Sequence, residues 1–269
     1  MNQPTVLFEV HNHTAIATLN RPHRMNAVIE AMYDELFHIM KRVQEDPTIR
    51  ALILTGSPRV KHGERKEVFC AGADLKEHGA GTRTPAQKKA YIELAHRCCL
   101  ALRTLPVPTI AAVGGPARGA GAELALNCDF ILMADDATLA FPETGLGTMV
   151  GGGATRHLER IVGHVQAKAL IFTGRVVQGW EAVEMGLALE SVPAIRLMDD
   201  ARELAQKMVT KAPVSMTLAK KLLEQAPEKS LARIYDDETE AIVACMKSRD
   251  WQEGIDAFRE KRAPRFKGE

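Results

Sequence analysis

The stretch PTIAAVGGPARGAGAELALNCD, residues 108–129, decides the fold class. Its residues 109–113 (TIAAV) form a short apolar run that is typical of a buried parallel strand. A glycine-rich turn follows at 114–121, and an apolar helix is predicted to continue from Glu123. A strand, a turn and a helix in this order indicate an α/β domain with a mostly parallel sheet.

Similar signals occur on both sides of this stretch. Two β-rich runs at 6–10 and 14–19 predict a hairpin, and Asn26 is expected to cap a helix whose apolar face runs from Ile29 to Val43. Other apolar runs and helical spacings predict strands at 51–55, 130–134 and 138–141 and a long helix over 91–105 that stops before Pro106.

The strand signals end near Ile195, and helical periodicity replaces them. We therefore predict two parts, an α/β catalytic domain at 1–194 and a helical region at 195–269. The apolar faces of the helical region would be covered either by self-association or by packing within one chain, and periodicity does not separate the two.

Composition excludes several classes of protein. The chain has 269 residues, with 35 Lys and Arg against 34 Asp and Glu, so its net charge of +1 argues against proteins that bind nucleic acid or anionic membranes through a basic field. No stretch reaches the roughly 18 apolar residues of a membrane span, and the first residues do not resemble a secretory signal. Five cysteines without a CxxC pair argue against a metal site and against disulfides, and predict a reducing, cytoplasmic location.

The glycine-rich stretches do not match nucleotide-binding fingerprints. Neither 119–124 nor 151–156 fits G-x-G-x-x-G, and no G-K-[ST] occurs. Free N–H groups at a helix start can instead bind developing negative charge, which makes 119–122 a candidate oxyanion-binding turn. Residues 69–75 (FCAGADL) are a second candidate, because they could place a backbone N–H at the carboxyl edge of the sheet. The alternative is that the glycines serve only tight packing.

Two glutamates, Glu123 and Glu143, occur among apolar neighbours. A buried, unpaired carboxylate tends to take up a proton, and two held close together can serve as an acid and a base. The alternative is that each glutamate pairs with an arginine such as Arg118 or Arg156. The residues alone favour neither interpretation.

A set of motifs occurs in a fixed order along the chain: LNRP and MNA at 19–22 and 25–27, FCAGADL at 69–75, PTIAAVGGPARGAGAELALNCD at 108–129, FPETGLGTMVGGGATRHL at 141–158, TGR at 173–175 and EGIDAFREKRAPRF at 253–266. Together they resemble the enoyl-CoA hydratase/isomerase, or crotonase, family. The resemblance spans about residues 6–267, and the specificity lies in the set and its spacing rather than in one motif.

The resemblance implies an α/β fold of crotonase type, a spiral of ββα units followed by a C-terminal helical trimerisation region. It also implies a homotrimer or a homohexamer built from two trimers. The implied substrate is an acyl-CoA thioester in fatty acid metabolism, such as β-oxidation. Coenzyme A is then part of the substrate, and no separate cofactor, metal, nucleic acid or membrane is expected as a partner.

The resemblance also assigns site residues by position. The backbone N–H groups of Ala73 and Ala120 would bind the thioester oxygen. Glu123 would hold and deprotonate the attacking water and Glu143 would deliver a proton to C2, although both tasks could be shared through one water. Further contacts with the substrate are expected from Ala71, Asp74, Leu75, Lys76, Gly151, Phe258 and Lys261.

Within the family, a hydratase carries both glutamates, whereas an enoyl-CoA isomerase normally keeps one, so the presence of both favours hydration. Some family members bind RNA through a lysine-rich helix. Here the lysines are scattered, and the pairs at 88–89 and 220–221 are isolated. The sequence therefore favours an enzyme over an RNA-binding protein.

Two departures from the family pattern bear on the site. Alanine stands at position 120 where the family usually has glycine, and its restricted φ could alter the oxyanion geometry. The segment 57–68 is about eight residues longer than usual and carries two more basic than acidic residues. It either reaches the phosphates of coenzyme A or is a solvated loop.

Overall fold

The computed structural model describes residues 3–78, 81 and 83–269. Its strands are β1 (Val6–His11), β2 (Thr14–Leu19), β3 (Ala51–Gly56), β4 (Arg59–Lys61), β5 (Glu64–Lys66), β6 (Thr109–Val113), β7 (Ala117–Arg118), β8 (Phe130–Ala134), β9 (Thr138–Ala140), β10 (Val177–Gln178) and β11 (Glu190–Val192). Its helices are α1 (Glu30–Glu45), α2 (Leu75–His78), α3 (Pro85–Arg103), α4 (Ala120–Leu126), α5 (Ala154–Val162), α6 (His164–Thr173), α7 (Gly179–Glu184), α8 (Leu197–Val209), α9 (Pro213–Gln225), α10 (Leu231–Met246) and α11 (Arg249–Glu260).

The main sheet has the strand order β1-β2-β3-β6-β8-β11. The first two strands form the predicted antiparallel hairpin, and every other neighbouring pair is parallel. The central strands β3 and β6 are apolar along almost their whole length and buried, as strands covered on both faces must be. The predicted mostly parallel sheet is therefore confirmed.

A smaller sheet, β10-β9-β7, lies beside the main one and positions the start of α4. Its strand β7 pairs in parallel with β9, and Cys70 forms a parallel bridge with Ala117 on the same strand. The chain segments before Ala73 and before Ala120 are thus hydrogen-bonded to each other. This pairing is what brings the two glycine-containing turns together at one place.

The prediction that Asn26 caps α1 is wrong. The helix begins at Glu30, after Ile29 at its N-cap, while Asn26 is fully buried with φ +55°. The Asn26 side-chain amide donates to the carbonyl oxygens of Ser57, Val68 and Phe69. Asn26 therefore holds together the base of the segment 57–68 rather than the start of a helix.

The segment 57–68 folds as an exposed hairpin of β4 and β5. Its turn residues His62 and Gly63 both have positive φ, which suits a two-residue hairpin turn. The hairpin leaves the sheet after β3, and its last strand ends at Lys66, seven residues before Ala73.

The helical region after residue 195 does not all lie apart from the sheet. Helix α8 packs against the main sheet and contributes Leu197, Ala201 and Ala205 to its core, whereas α9, α10 and α11 pack mainly on one another and on the outside of the α/β part. The boundary between 194 and 195 remains a prediction. Within the described ranges, no helix combines the length and the hydropathy that a membrane-spanning segment needs.

Candidate active site

The backbone at Ala73 is held so that its N–H faces away from its pairing strand. In the parallel bridge between Val28 and Ala73, the Val28 N–H donates to the Gly72 oxygen at 2.8 Å and the Asp74 N–H donates to the Val28 oxygen at 3.0 Å. The N–H of Ala73 lies on the opposite side. No hydrogen-bond partner for it occurs in the part of the chain that the structure describes.

The second N–H belongs to Ala120, the first residue of α4, where N–H groups have no partner within the helix. A Cβ added to Gly72 would lie 3.7 Å from the Ala120 nitrogen and 2.8 Å from the Arg118 oxygen, so the two turns are in direct contact. The unusual backbone is at Gly119, with φ +50° and ψ −122°. Ala120 itself adopts a helical conformation, so its Cβ causes no backbone strain. The alanine therefore leaves the N–H that is predicted to bind the oxyanion in place.

Glu123 lies one turn into α4, and only 7% of the residue is exposed. Its Oε1 accepts a hydrogen bond of 2.6 Å from the Gly151 N–H. Burial raises the pKa of the Glu123 carboxyl, and the Gly151 N–H opposes this because it stabilises the charged form.

Glu143 lies in the short 3-10 turn 143–146, directly after Pro142, and is 8% exposed. Its Oε1 would be only 2.9 Å from a Cβ placed on Gly119, so the carboxyl lies against the turn that starts α4. Its buried Oε2 has no hydrogen-bond partner among the described residues. Burial, with a further contribution from the Glu123 charge, raises the pKa of Glu143 to about 6.

The alternative pairing of these glutamates with arginines is wrong. Arg118 instead donates to the carbonyl oxygens of Ala117 and Thr138 and to the Thr138 hydroxyl. Arg156 pairs with Glu228 at 2.8 Å on the surface. Both catalytic candidates are therefore left facing the cavity.

One cavity of about 580 Å³ brings the predicted groups together. The predicted residues in its wall are Ala73, Ala120, Glu123, Glu143 and Gly151. Two backbone donors and two carboxyls in one largely apolar cavity can stabilise an oxyanion and move protons beside it.

Nearly the whole chain matches a known family. The model of the enoyl-CoA hydratase/isomerase family covers residues 9–269. The chain belongs to this family.

Individual members agree with this assignment. The chain is 34% identical to a short-chain-enoyl-CoA hydratase of Clostridium acetobutylicum, with 97% of each chain covered. It is 33% identical to an enoyl-CoA isomerase/hydratase of Mycosarcoma maydis, covering 93% of this chain and 91% of that one. The crystal structure of an enoyl-CoA hydratase from Bacillus anthracis superposes with a TM-score of 0.92 at 35% identity, covering 98% and 100%. The predicted crotonase fold with a helical C-terminal part is thereby confirmed.

The remaining predicted substrate contacts of this hydratase/isomerase family member lie outside the cavity wall. Asp74 is buried and forms an ion pair with Arg21 at 3.1 Å, which ties the Ala73 segment to the loop before α1. The N–H of Ala71 donates to the Met25 oxygen. Leu75 and Lys76 are exposed at the start of α2.

Phe258 and Lys261 lie at the end of α11, where Phe258 is 85% exposed and Lys261 has φ +55°. Phe258 borders a separate apolar groove together with Trp251 and Phe266. Within one chain, neither residue lies in the wall of the cavity that contains Glu123 and Glu143. Their contact with substrate remains a prediction.

Sequence reasoning missed several residues of the cavity wall. They are Tyr33 on α1, Arg83 before α3, Lys88, Tyr91, Ile92, Ala95 and His96 along α3, and Thr148, Met149 and Val150 before α5. The signal was present, because the α3 residues recur at helical spacings of three and four. The same spacing describes a face packed into a core, so periodicity alone could not show that this face borders an open cavity.

No group of three or more His, Cys, Asp or Glu side chains suited to holding a metal ion is found within residues 3–78, 81 and 83–269.

Proposed function

We propose that the protein is an enoyl-CoA hydratase, which adds water across the C2=C3 bond of a 2-enoyl-CoA thioester to give a 3-hydroxyacyl-CoA. The observation that carries the proposal is a pair of buried glutamates in one cavity with two backbone donors. Glu123 accepts a hydrogen bond from a backbone N–H, and Oε2 of Glu143 has no hydrogen-bond partner among the described residues.

Attack of water at C3 moves electrons onto the thioester oxygen. The N–H groups of Ala73 and Ala120 are proposed to receive that charge, and each such donor typically contributes roughly 3 to 4 kcal/mol to transition-state stabilisation. The positive end of α4 at Ala120 adds to the same field.

The two glutamates differ in a way that suits different roles. The Gly151 N–H stabilises the charged form of Glu123, so Glu123 is proposed as the base that orients and deprotonates the attacking water. The pKa of Glu143 is raised to about 6, so Glu143 is proposed as the acid that delivers a proton to C2.

Isomerisation is the second candidate, because one relative is named an isomerase/hydratase. Moving a double bond transfers one proton within the substrate and needs no water. The test incubates the protein with 2-enoyl-CoA in ¹⁸O-labelled water and follows both thioester absorbance and product mass. A parallel incubation supplies 3-enoyl-CoA. Labelled 3-hydroxyacyl-CoA is the expected product from 2-enoyl-CoA, whereas conversion of 3-enoyl-CoA to 2-enoyl-CoA with no labelled product from either substrate would contradict the proposal.

Hydration changes no net oxidation state, so we propose that the enzyme acts without a redox cofactor and that coenzyme A enters only with the substrate. The five cysteines are free thiols, four of them buried. Free thiols suit the reducing, cytoplasmic setting that we propose. The place in fatty acid metabolism, such as β-oxidation, is proposed from the 2-enoyl-CoA substrate alone.

We also propose that the chain assembles as a homotrimer or a homohexamer of two trimers. One face of α10 supports this, because Leu231, Tyr235, Ile242 and Met246 are each at least half exposed in a single chain and share helical spacing. Sedimentation velocity of the full chain is expected to give three or six times the mass of one chain, and a monomer at micromolar concentration would contradict the proposal.

The exposed hairpin of β4 and β5 is proposed to contact the phosphates of coenzyme A. Reversing the charge of Lys61, Arg65 and Lys66 together is then expected to raise KM for an enoyl-CoA roughly tenfold with little change in kcat, and the effect should shrink at high salt. The matched control reverses three other exposed lysines, Lys41, Lys168 and Lys207. An unchanged KM in the hairpin variant would show that the hairpin is only a solvated loop.

A further inference from the structure

One face of α3 runs along the cavity from the catalytic glutamates to a cationic end. His96 is at the catalytic end, because a Cβ placed on Gly151 would lie 3.1 Å from His96 Nε2 and 3.3 Å from Glu123 Oε2. Lys88 lines the same cavity eight residues earlier. At 1.5 Å per residue, that separation is about 12 Å along the helix axis.

Arg83 reaches the same cavity from just before the N-cap of α3. Its guanidinium lies over the Tyr91 ring, 5.0 Å from the centroid, and its side chain is only 19% exposed. One nitrogen, Nη2, lies 3.0 Å from the half-exposed Glu30 carboxylate. A guanidinium has five N–H donors in a planar fork, so a second carboxylate can still be bound.

Lys88 and its neighbour Lys89 differ in their surroundings. Lys89 is paired with Glu93 at 3.6 Å and does not line the cavity. Lys88 lines the cavity, and its ammonium forms no ion pair within the described part of the chain. The cavity therefore has one cation that is only partly neutralised and another without a described counter-ion.

Of these two cations, Arg83 has a side chain that is only 19% exposed, whereas Lys88 lies on an exposed turn of α3. A hydrocarbon tail at this end of the cavity would therefore take water mainly from Arg83 without replacing its hydrogen bonds, which is costly. A carboxylate at the end of the acyl chain would instead form charge-assisted hydrogen bonds with both cations, which are among the stronger ones in proteins. The separation of Lys88 from the glutamates leaves room for several carbons between C3 and that carboxylate.

We propose that the preferred substrate is a 2-enoyl-CoA whose acyl chain ends in a carboxylate, bound at its far end by Arg83 and Lys88. This specificity rests on the proposed hydratase function. The phosphates of coenzyme A are another anion that these cations could bind. A preference for one acyl chain over another separates the two ligands, because every substrate compared carries the same coenzyme A.

The test measures kcat/KM for pairs of 2-enoyl-CoAs of equal chain length, one ending in a methyl group and one in a carboxylate, over several lengths. The wild-type protein is expected to favour the carboxylate at one or more lengths by at least tenfold. Arg83→Gln and Lys88→Gln are each expected to lower the ratio of the two kcat/KM values by roughly 10- to 100-fold, as for the loss of one hydrogen-bonded ion pair. Lys89→Gln is the matched control and should leave the ratio unchanged.

The ratio is measured within each variant, so a general loss of stability does not imitate the effect. Lys88 is on an exposed turn of α3, which keeps the test open if Arg83→Gln folds poorly. Hydration of the methyl-terminated substrates without a preference for the carboxylate would overturn the inference and leave the hydratase proposal intact. Equal losses on both substrates would indicate contact with coenzyme A and would also overturn it. Hydration of neither substrate would instead overturn the proposed function.

Discussion

Replacing Glu123 with glutamine is expected to lower kcat for hydration of a 2-enoyl-CoA by about 10³-fold, within the usual range for loss of a general base. The substitution keeps the size of the side chain, and its amide oxygen can still accept the hydrogen bond from the Gly151 N–H that Oε1 now accepts at 2.6 Å. What is lost is the ability to take a proton from water. KM should change little, because the group acts on water rather than on the thioester.

The measurement is the initial loss of the enoyl thioester absorbance, with the variant's thermal unfolding recorded alongside it. Glu93→Gln is a suitable control, since Glu93 is an exposed residue of α3 whose described partner is Lys89. It should retain the activity of the wild type. A Glu123→Gln variant within tenfold of the wild type would show that another group takes the proton.

Much of the fold could be predicted because local signals and global packing agree. The run 109–113 is apolar throughout, is bounded by a proline and a glycine, and forms β6 over the predicted residues. The turn 119–122 leads into α4 at Ala120, and the start of a helix necessarily leaves its first N–H groups unpaired. That this turn binds an oxyanion stays a prediction. Such features depend on a few neighbouring residues and are therefore visible in sequence.

The errors and gaps arise where long-range contacts decide. Asn26 has a residue type suited to a helix cap, but its amide is used by carbonyls 31 to 43 residues further along the chain. Lys88 and Lys89 are adjacent and identical in sequence, yet only Lys88 lines the cavity. Nothing local separates these cases, because the deciding partner belongs to another segment.

The pairing of Glu123 with Glu143 lies between these extremes. Their apolar neighbours indicate burial, but the choice between a catalytic pair and two ion pairs needed the positions of Arg118 and Arg156. In the structure both arginines have other partners. The different roles proposed for the two glutamates then depend on their hydrogen bonds, since Glu123 accepts one from the Gly151 N–H.

Glu143→Gln is expected to lower kcat by roughly 10²- to 10³-fold, because glutamine cannot deliver a proton to C2. Loss in both single variants is the outcome that hydration requires. If Glu143→Gln kept full hydration activity while Glu123→Gln did not, one carboxyl group would be enough and the two-glutamate mechanism would be wrong. The same absorbance assay and the Glu93→Gln control apply.

The same substitution is expected to stabilise the protein above pH 6, because burial raises the pKa of Glu143 to about 6 from its ordinary value of 4.5. Between these two values the folded state binds more protons than the unfolded state, so the free energy of unfolding falls as pH rises through this window. Glutamine carries no charge and removes that loss. At pH 8 we expect Tm to rise by roughly 2–4 °C, with no such gain near pH 4.

Glu123→Gln provides the comparison, because the Gly151 N–H already stabilises the charged form of Glu123 and the gain in Tm should be smaller. Equal gains at pH 4 and pH 8 would mean that improved packing rather than titration is responsible. A gain in Tm confined to high pH would show that the charged form of Glu143, whose Oε2 has no hydrogen-bond partner among the described residues, lowers the stability of the fold. If the same variant also loses turnover, the residue that lowers stability is the one that protonates C2, which is a trade-off between stability and activity.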